Sequence, residues 1–165
     1  MDMTDNVAAL VADTSRFLRR RFDARARRIG VSRAQWQVLF ALSRNEGINQ
    51  AGLAEALDVE TITVGRMVDR LADAGLVERH ADPTDRRAWR LHLTDRAHPI
   101  LEELRAVGEI VMDEALAGFT PAEIEAMGAL LMRLRANLSP RGEADTAPSR
   151  SAADAVATTQ MMGHR

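Results

Sequence analysis

The sequence predicts a mainly α-helical fold interrupted once by a small β-hairpin. Apolar residues recur at helical spacing at both ends of the chain: Val7, Leu10, Val11, Leu18, Phe22 and Ile29 early, Ile124, Met127, Leu130, Leu131, Leu134 and Leu138 late. Capping residues punctuate the segments between them. Strict alternation of apolar and polar residues occurs at Trp89-Arg90-Leu91-His92-Leu93, the signature of a half-buried strand.

Each element has a local cause. Asp5 to Ile29 reads as one long helix, ended by Gly30, a residue that tolerates the left-handed conformation past a helix end. Ser32 caps a second helix, Arg33 to Ser43, with Trp36, Leu39, Phe40 and Ala41 as core candidates. Asn45-Glu46-Gly47 is a turn, and Ile48 is expected in a short strand. Asn49 caps a short third helix that carries Leu53, Ala54 and Leu57. After a break at Asp58-Val59-Glu60, a fourth helix runs from about Thr61 to Ala74, with Ile62, Val64, Val68 and Leu71 expected to pack. Gly75 closes it.

A short helix, a brief turn and a second helix with a polar leading end make a helix-turn-helix. Leu76 to His80 and Ala88 to Leu93 then form a hairpin, with Trp89, Leu91 and Leu93 on one face and Arg90 and His92 on the other. Its loop, Ala81 to Arg87, holds a proline and several Asp and Thr turn formers. The hairpin is a wing placed after the helix-turn-helix. A fifth helix is expected from Thr94-Asp95 to about Ala117, with Ile100, Leu104, Val107, Val111, Ala115 and Leu116 as its stripe. Thr120-Pro121-Ala122-Glu123 then opens a sixth with a capping box. Residues 1–30 and 95–138 are expected to be dimerisation helices, 31–94 a winged helix-turn-helix lobe, and 139–165, rich in Ser, Ala, Thr, Asp and Pro, a disordered tail.

Composition narrows the function. The chain has 165 residues, 46% hydrophobic, which suffices for one domain with a sizeable core. Without cysteine there is no disulfide, zinc-thiolate site, cysteine nucleophile or thiol redox sensor. No run of about 18 apolar residues marks a membrane span, and an acidic start from Met1 to Asp13 does not fit a signal peptide. A cytoplasmic protein is expected. Net charge is −2, yet residues 15–98 hold 16 arginines against 11 acids, and there is no lysine. A basic middle on an acidic body suggests one anion-facing surface, the alternative being ordinary solvated helix faces.

The candidate sites follow from residue chemistry. Thr61 and Thr63 can exchange hydrogen bonds with base edges or touch a thymine methyl, and Arg66, with Arg70 on the same helix, can reach guanine or phosphate. Asn49 and Gln50, at the start of the preceding helix, are placed for phosphates. Arg86 and Arg87 suit a narrow minor groove, with Asp85 or Asp82 fixing a guanidinium in place. In the arginine-rich first helix, Arg16 and Arg19 share a side. They can meet phosphate, pair with Asp13 and Asp23, or form a carboxylate pocket walled by Trp36. Asp95, His98 and Glu102 lie close together but lack a second histidine at metal-site spacing. No catalytic, cofactor or metal constellation is found.

Taken together, these parts resemble the MarR family of bacterial transcription regulators. The resemblance is carried by Leu53-Ala54-Glu55-Ala56-Leu57, by Leu71 to Arg79, and by Asp85-Arg86-Arg87-Ala88 followed by Leu91-His92-Leu93-Thr94. Trp36, the Asp-Arg-Arg-Ala wing and Ala97-His98-Pro99 look most like the SlyA-type branch. The resemblance implies a homodimer on a pseudo-palindromic double-stranded operator. It also implies release by a small aromatic carboxylate bound at Arg16, Arg19, Trp36 and Arg66. The rival expectation is a helical dimeric module that binds a ligand or protein and does not bind DNA. The missing cysteine excludes a peroxide sensor of the family's thiol type, and the missing tyrosine removes a common pocket-lining residue.

Overall fold

The computed structural model describes residues 3–83 and 88–138. The order is α1 (Met3–Ala26) with a 3-10 turn (Arg27–Ile29), α2 (Arg33–Arg44), α3 (Gln50–Leu57), α4 (Thr61–Asp73), β1 (Val77–Ala81), β2 (Trp89–Leu93), α5 (Ala97–Ala115) and α6 (Pro121–Leu138). This is a mainly helical winged helix-turn-helix with one antiparallel hairpin, in which Val77 pairs with Leu93 and Ala81 with Trp89. None of the described helices is long and apolar enough to cross a membrane.

Local chemistry sets most boundaries. Gly30 takes φ 77°, ending the first helical run after the three-residue 3-10 turn. Ser32 Oγ accepts from the Gln35 amide while Gln35 Oε1 accepts from the Ser32 amide at 2.9 Å, a complete capping box. The Asn49 side chain accepts from the Gly52 amide at 2.8 Å and starts α3. At α6 the Glu123 carboxylate accepts from the Thr120 amide at 2.8 Å, and Thr120 Oγ1 accepts from the Glu123 amide at 3.3 Å.

The core joins α2, α3, α4, the hairpin and the inner face of α5. Trp36, Leu39, Phe40, Leu53, Leu57, Val64, Val68, Leu71, Leu91, Leu101 and Leu104 are all buried. Four expectations change here. Ile62 is not packed but 64% exposed, because it lies across α4 from Val64, Val68 and Leu71. Trp89 shares the strand face of Leu91 and Leu93 but sits at the far end of the hairpin, past the core, and is 53% exposed. The strand expected at Ile48 reduces to a single bridge between Asn49 and Arg90. The fifth helix begins later and ends sooner than expected, and its buried line includes Leu101, which had not been singled out, whereas Ala115 is exposed. The tail and the wing residues Asp85, Arg86 and Arg87 lie outside the described residues.

The N-terminal half of the α1 stripe and the stripe of α6 are legible in the sequence but are left uncovered by the other described residues, whereas Phe22 at the far end of α1 is buried in the core. Val7, Leu10 and Phe17 on α1 are exposed, as are Leu130, Leu131, Met132 and Leu138 on α6. No residue of α6 is buried.

One carboxylate, Asp23, is enclosed where α1 meets α2, at 5% exposure. Its Oδ2 accepts from Arg33 Nε at 2.8 Å and from a second Arg33 nitrogen, and its Oδ1 accepts from Trp36 Nε1 at 3.0 Å. The Trp36 ring packs edge-on against Phe22 at 4.9 Å. The carboxylate therefore ties the start of α2 to α1 and fixes the indole. Replacing Asp23→Ala strands the indole N–H and the Arg33 charge, and is expected to cost about 3 kcal/mol. Urea unfolding checks this, and a loss under about 1 kcal/mol would refute a fixing role.

The two hydrogen bonds from Thr120 hold the Glu123 carboxyl below its ordinary value of 4.5. The lowered folded value means the cap is fully present above pH 4.5 and is lost as pH falls through that lower value. An NMR titration of the Glu123 side chain should give a midpoint below that of a free glutamate, and Thr120→Val should move it back up.

Candidate nucleic-acid interface

The turn between α3 and α4 is short and fixed. Asp58 adopts φ 51° as the left-handed cap of α3. Gln50 Nε2 donates to the Thr61 carbonyl at 3.2 Å, tying the start of α3 to the start of α4. Gly65 makes that approach feasible, since a Cβ there would stand 3.0 Å from Gln50 Nε2. Two expected phosphate ligands thus have structural duties: the Asn49 oxygen caps its helix and the Gln50 amide joins two helices.

Burial of Val64, Val68 and Leu71 sets the rotation of α4. Thr61, Ile62, Thr63, Arg66, Asp69 and Arg70 then project to solvent. Arg66 and Arg70 make no hydrogen bond or ion pair with the described residues, so their donors face outward unsatisfied except by water. Sequence reasoning missed Ile62 as a surface residue, because periodicity alone cannot say which apolar positions find a partner.

The wing is braced along its strands. Asp69 on α4 pairs with Arg79 on β1. Arg90 Nε meets Asp82 at 2.8 Å, and Arg90 Nη1 donates to the Gly47 carbonyl at 3.2 Å. Of the two aspartates expected to orient an arginine, Asp82 does so for Arg90. Asp85, Arg86 and Arg87 cannot be placed against it, lying outside the described residues. On the same face of the hairpin as Arg90 the His80 and His92 rings stack at 4.5 Å, flanked by Glu78 at 2.8 Å from His80 Nε2. Among the described residues no group of three or more His, Asp and Glu is placed to hold a metal ion.

Among the described residues, Arg16, Arg19, Trp36 and Arg66 do not gather around one cavity. Trp36 is 1% exposed and belongs to the core, where Asp23, Phe22 and Phe40 surround it, so it does not wall an open cavity. Arg16 is exposed and pairs with Asp13 at 2.7 Å. Arg19 is partly buried, and its Nε has no hydrogen-bond partner. Burial holds its guanidinium below the usual arginine value, and the charge of Arg33 lowers it further, while Asp23 opposes both. A cavity of about 480 Å³ opens between α1 and α5, lined by Phe17, Leu18, Arg21 and Val111 among others. A smaller one of about 220 Å³ lies at Ser32, Gln35, Met67 and Arg70. None of Arg16, Arg19, Trp36 or Arg66 lines either.

Comparison with known proteins agrees with this geometry. The MarR family model matches residues 29–88, from the end of the first helical run to the hairpin. The crystal structure of the transcriptional regulator PA3341 is 35% identical, with a TM-score of 0.70 over 80% of this chain and 97% of that one. A cysteine-to-serine mutant of MarR from E. coli, crystallised with operator DNA, is 25% identical, with a TM-score of 0.67 over 81% of this chain and 99% of that one. A MarR-family regulator from Rhodococcus sp. shares the fold at 21% identity, with a TM-score of 0.69 over 81% of this chain and 95% of that one. A solvent-facing polar ridge on α4, a braced wing behind it and this likeness over nearly the whole length of solved regulators lead to one assignment: the chain belongs to the MarR family of transcriptional regulators.

Proposed function

We propose that the chain is a cytoplasmic bacterial transcription regulator that binds double-stranded DNA as a homodimer and reads a pseudo-palindromic operator. The observation that carries this is α4. Its inner line is buried, and its outer side presents Thr61, Thr63, Arg66 and Arg70, the residue types that pair with base edges and phosphates. A relative 25% identical to this chain was crystallised with operator DNA, which supports the same use here. The uncovered apolar faces of α1 and α6 supply the surface a second copy would bury. Two recognition helices about one turn of DNA apart would then read matching half-sites. Asn49 and Gln50 contribute at the edge of the groove, and Arg86 and Arg87, with Asp85, serve the minor groove. The protein performs no catalysis.

For the effector we propose a small aromatic carboxylate, as the SlyA-type resemblance implies. Arg19 supports it: a partly buried guanidinium whose Nε lacks a partner, beside Arg33, gains most from an incoming anion. Arg16 and Arg66 are the further cations, and Trp36 acts from the core by holding Asp23 in place. An effector that occupies Arg66 competes with DNA for that side chain, so ligand and operator weaken each other reciprocally.

Fluorescence anisotropy on duplex from upstream of the protein's own gene, with unrelated duplex as competitor, tests the DNA half. Arg66→Ala should weaken specific binding by about tenfold or more and relax preference at one base pair per half-site. Arg86→Ala with Arg87→Ala should weaken all duplexes alike and reduce the salt slope by about 2 per subunit. If competitor removes binding from every duplex tried, including sequences selected from a random pool, the protein is a ligand- or protein-binding module that does not bind DNA. Salicylate added to the complex should release DNA, and Arg19→Ala should abolish that release while leaving operator affinity within about threefold.

A further inference from the structure

Fifteen large apolar side chains are exposed among the described residues, and twelve of them lie on α1, α5, α6 or the connection between α5 and α6. Those twelve lie on the elements that the proposed dimer would share. The other three are Val59, Ile62 and Trp89, all in the lobe that carries α4 and the wing. Ile62 is the most exposed of the three, at 64%. It stands in the first turn of α4 between Thr61 and Thr63.

Its angular position sets it apart from the threonines. Residues advance by roughly 100° each around a helix. With Val64, Val68 and Leu71 as the inner line of α4, Ile62 and Arg66 fall on the opposite side, Thr61 and Thr63 lie on the flanks, and Arg70 sits beside Asp69 nearer the outer side. Asp69 and Asp73 continue the outer line toward the C-terminus, where Asp69 is already taken by Arg79 and both carboxylates repel phosphate. The end of α4 that can enter a groove is therefore the N-terminal one, and its leading side chain is Ile62.

Resting on the DNA-binding proposal above, we infer that Ile62 is a specificity-determining residue that reads the C5-methyl group of a thymine in the major groove of each half-site. The thymine methyl is the apolar feature of the major-groove edge. Placed against guanine O6 and N7 or the cytosine amino group, an isoleucine would strip water from polar atoms and return no hydrogen bond. Ile62 and Arg66 are four residues apart, a rise of roughly 6 Å along the helix. With base pairs about 3.4 Å apart, the thymine lies within about two base pairs of whatever base Arg66 contacts.

The test uses the full-length protein and a duplex that it selects from a random pool. Each thymine of the half-site is replaced in turn by deoxyuridine, which deletes the methyl and keeps the base pair. One position should weaken wild-type binding by about fourfold when changed in a single half-site, the value of one buried methyl. Ile62→Ala should bind the thymine and deoxyuridine duplexes equally at that position and keep its discrimination elsewhere. Ile62→Val, which keeps a branched apolar tip, should retain the difference. Unchanged methyl sensitivity in Ile62→Ala, with specific binding intact, overturns the assignment to Ile62 and leaves the regulator standing. So does the lack of any methyl-sensitive thymine. A wild-type protein that selects no sequence overturns the DNA-binding proposal, and the role of Ile62 with it.

Discussion

The rotation of α4 is the constraint from which the surface of this protein follows. Val64, Val68 and Leu71 are fully buried against the neighbouring helices and the wing. Burial of side chains of this size contributes about 1.5–3 kcal/mol each. Turning the helix by one residue would exchange those three for Gly65, Asp69 and Ala72, and would set a carboxylate in the core. So the rotation is fixed by packing, and packing decides which side chains reach solvent. The turn before α4 adds a second restraint, because Gln50 grips the Thr61 carbonyl and Asp58 takes a left-handed conformation that sets the angle between the helices. The ion pair from Asp69 to Arg79 adds a third, linking the far half of α4 to the first strand of the wing.

Features set by a few consecutive residues were legible in the sequence. The cap at Ser32, the capping box at Thr120-Glu123, the cap at Asn49 and the stop at Gly30 all depend on residues within one turn of the backbone they serve. The alternation in β2 named Leu91 and Leu93 as core residues for the same reason. What stayed hidden depends on residues distant in sequence. Trp36 reads both as a core residue and as a candidate pocket wall, and the core reading prevails once Asp23, 13 positions earlier, is found to take its indole N–H. Ile62 and Trp89 read as core because they are apolar, yet one faces away from the body and the other lies past its edge. On α6 periodicity named the apolar stripe, Ile124 to Leu138, but not what covers it. Among the described residues none buries it.

The arginine count also misleads until partners are known. Arg16, Arg25, Arg33, Arg79, Arg90 and Arg105 each meet a carboxylate: Asp13, Glu114, Asp23, Asp69, Asp82 and Glu102 respectively. Four of these pairs link separate segments, while Arg16–Asp13 and Arg105–Glu102 lie within one helix, and the exposed ones contribute little stability, about 0–1 kcal/mol each. The planar fork of arginine lets Arg33 put two nitrogens on Asp23 and Arg90 reach both Asp82 and Gly47, which lysine would do less well, in keeping with a chain that has no lysine. The cations left to act on an anion are then fewer than the sequence suggests. Arg66 and Arg70 on α4 are among them, and their position matters more than the net +5 of the segment that contains them.

The same bracing gives a route by which an event at α1 could reach α4. Asp23 ties α1 to the start of α2 through Arg33 and Trp36, and the core joins α2 to α4. From the wing, Thr94 Oγ1 donates to the Gly75 carbonyl at 2.7 Å and the Thr94 amide donates to the Leu76 carbonyl at 3.1 Å, so the end of β2 is locked to the exit of α4 just before α5 begins. Helix α5 then sends Leu101 and Leu104 into the common core and runs on beside α1, where Arg25 pairs with Glu114. Thus α4 is held from two sides by elements that both lead to α1. In the proposed dimer α1 and α6 would be shared between copies, so a tilt of α1 would alter the separation of the two recognition helices. An anion bound at Arg19 would compete with Asp23 for the nearby cations and loosen the tie between α1 and α2. Release of DNA would then need only a change in the spacing of two helices whose own packing is untouched, and the buried line of α4 keeps that packing rigid.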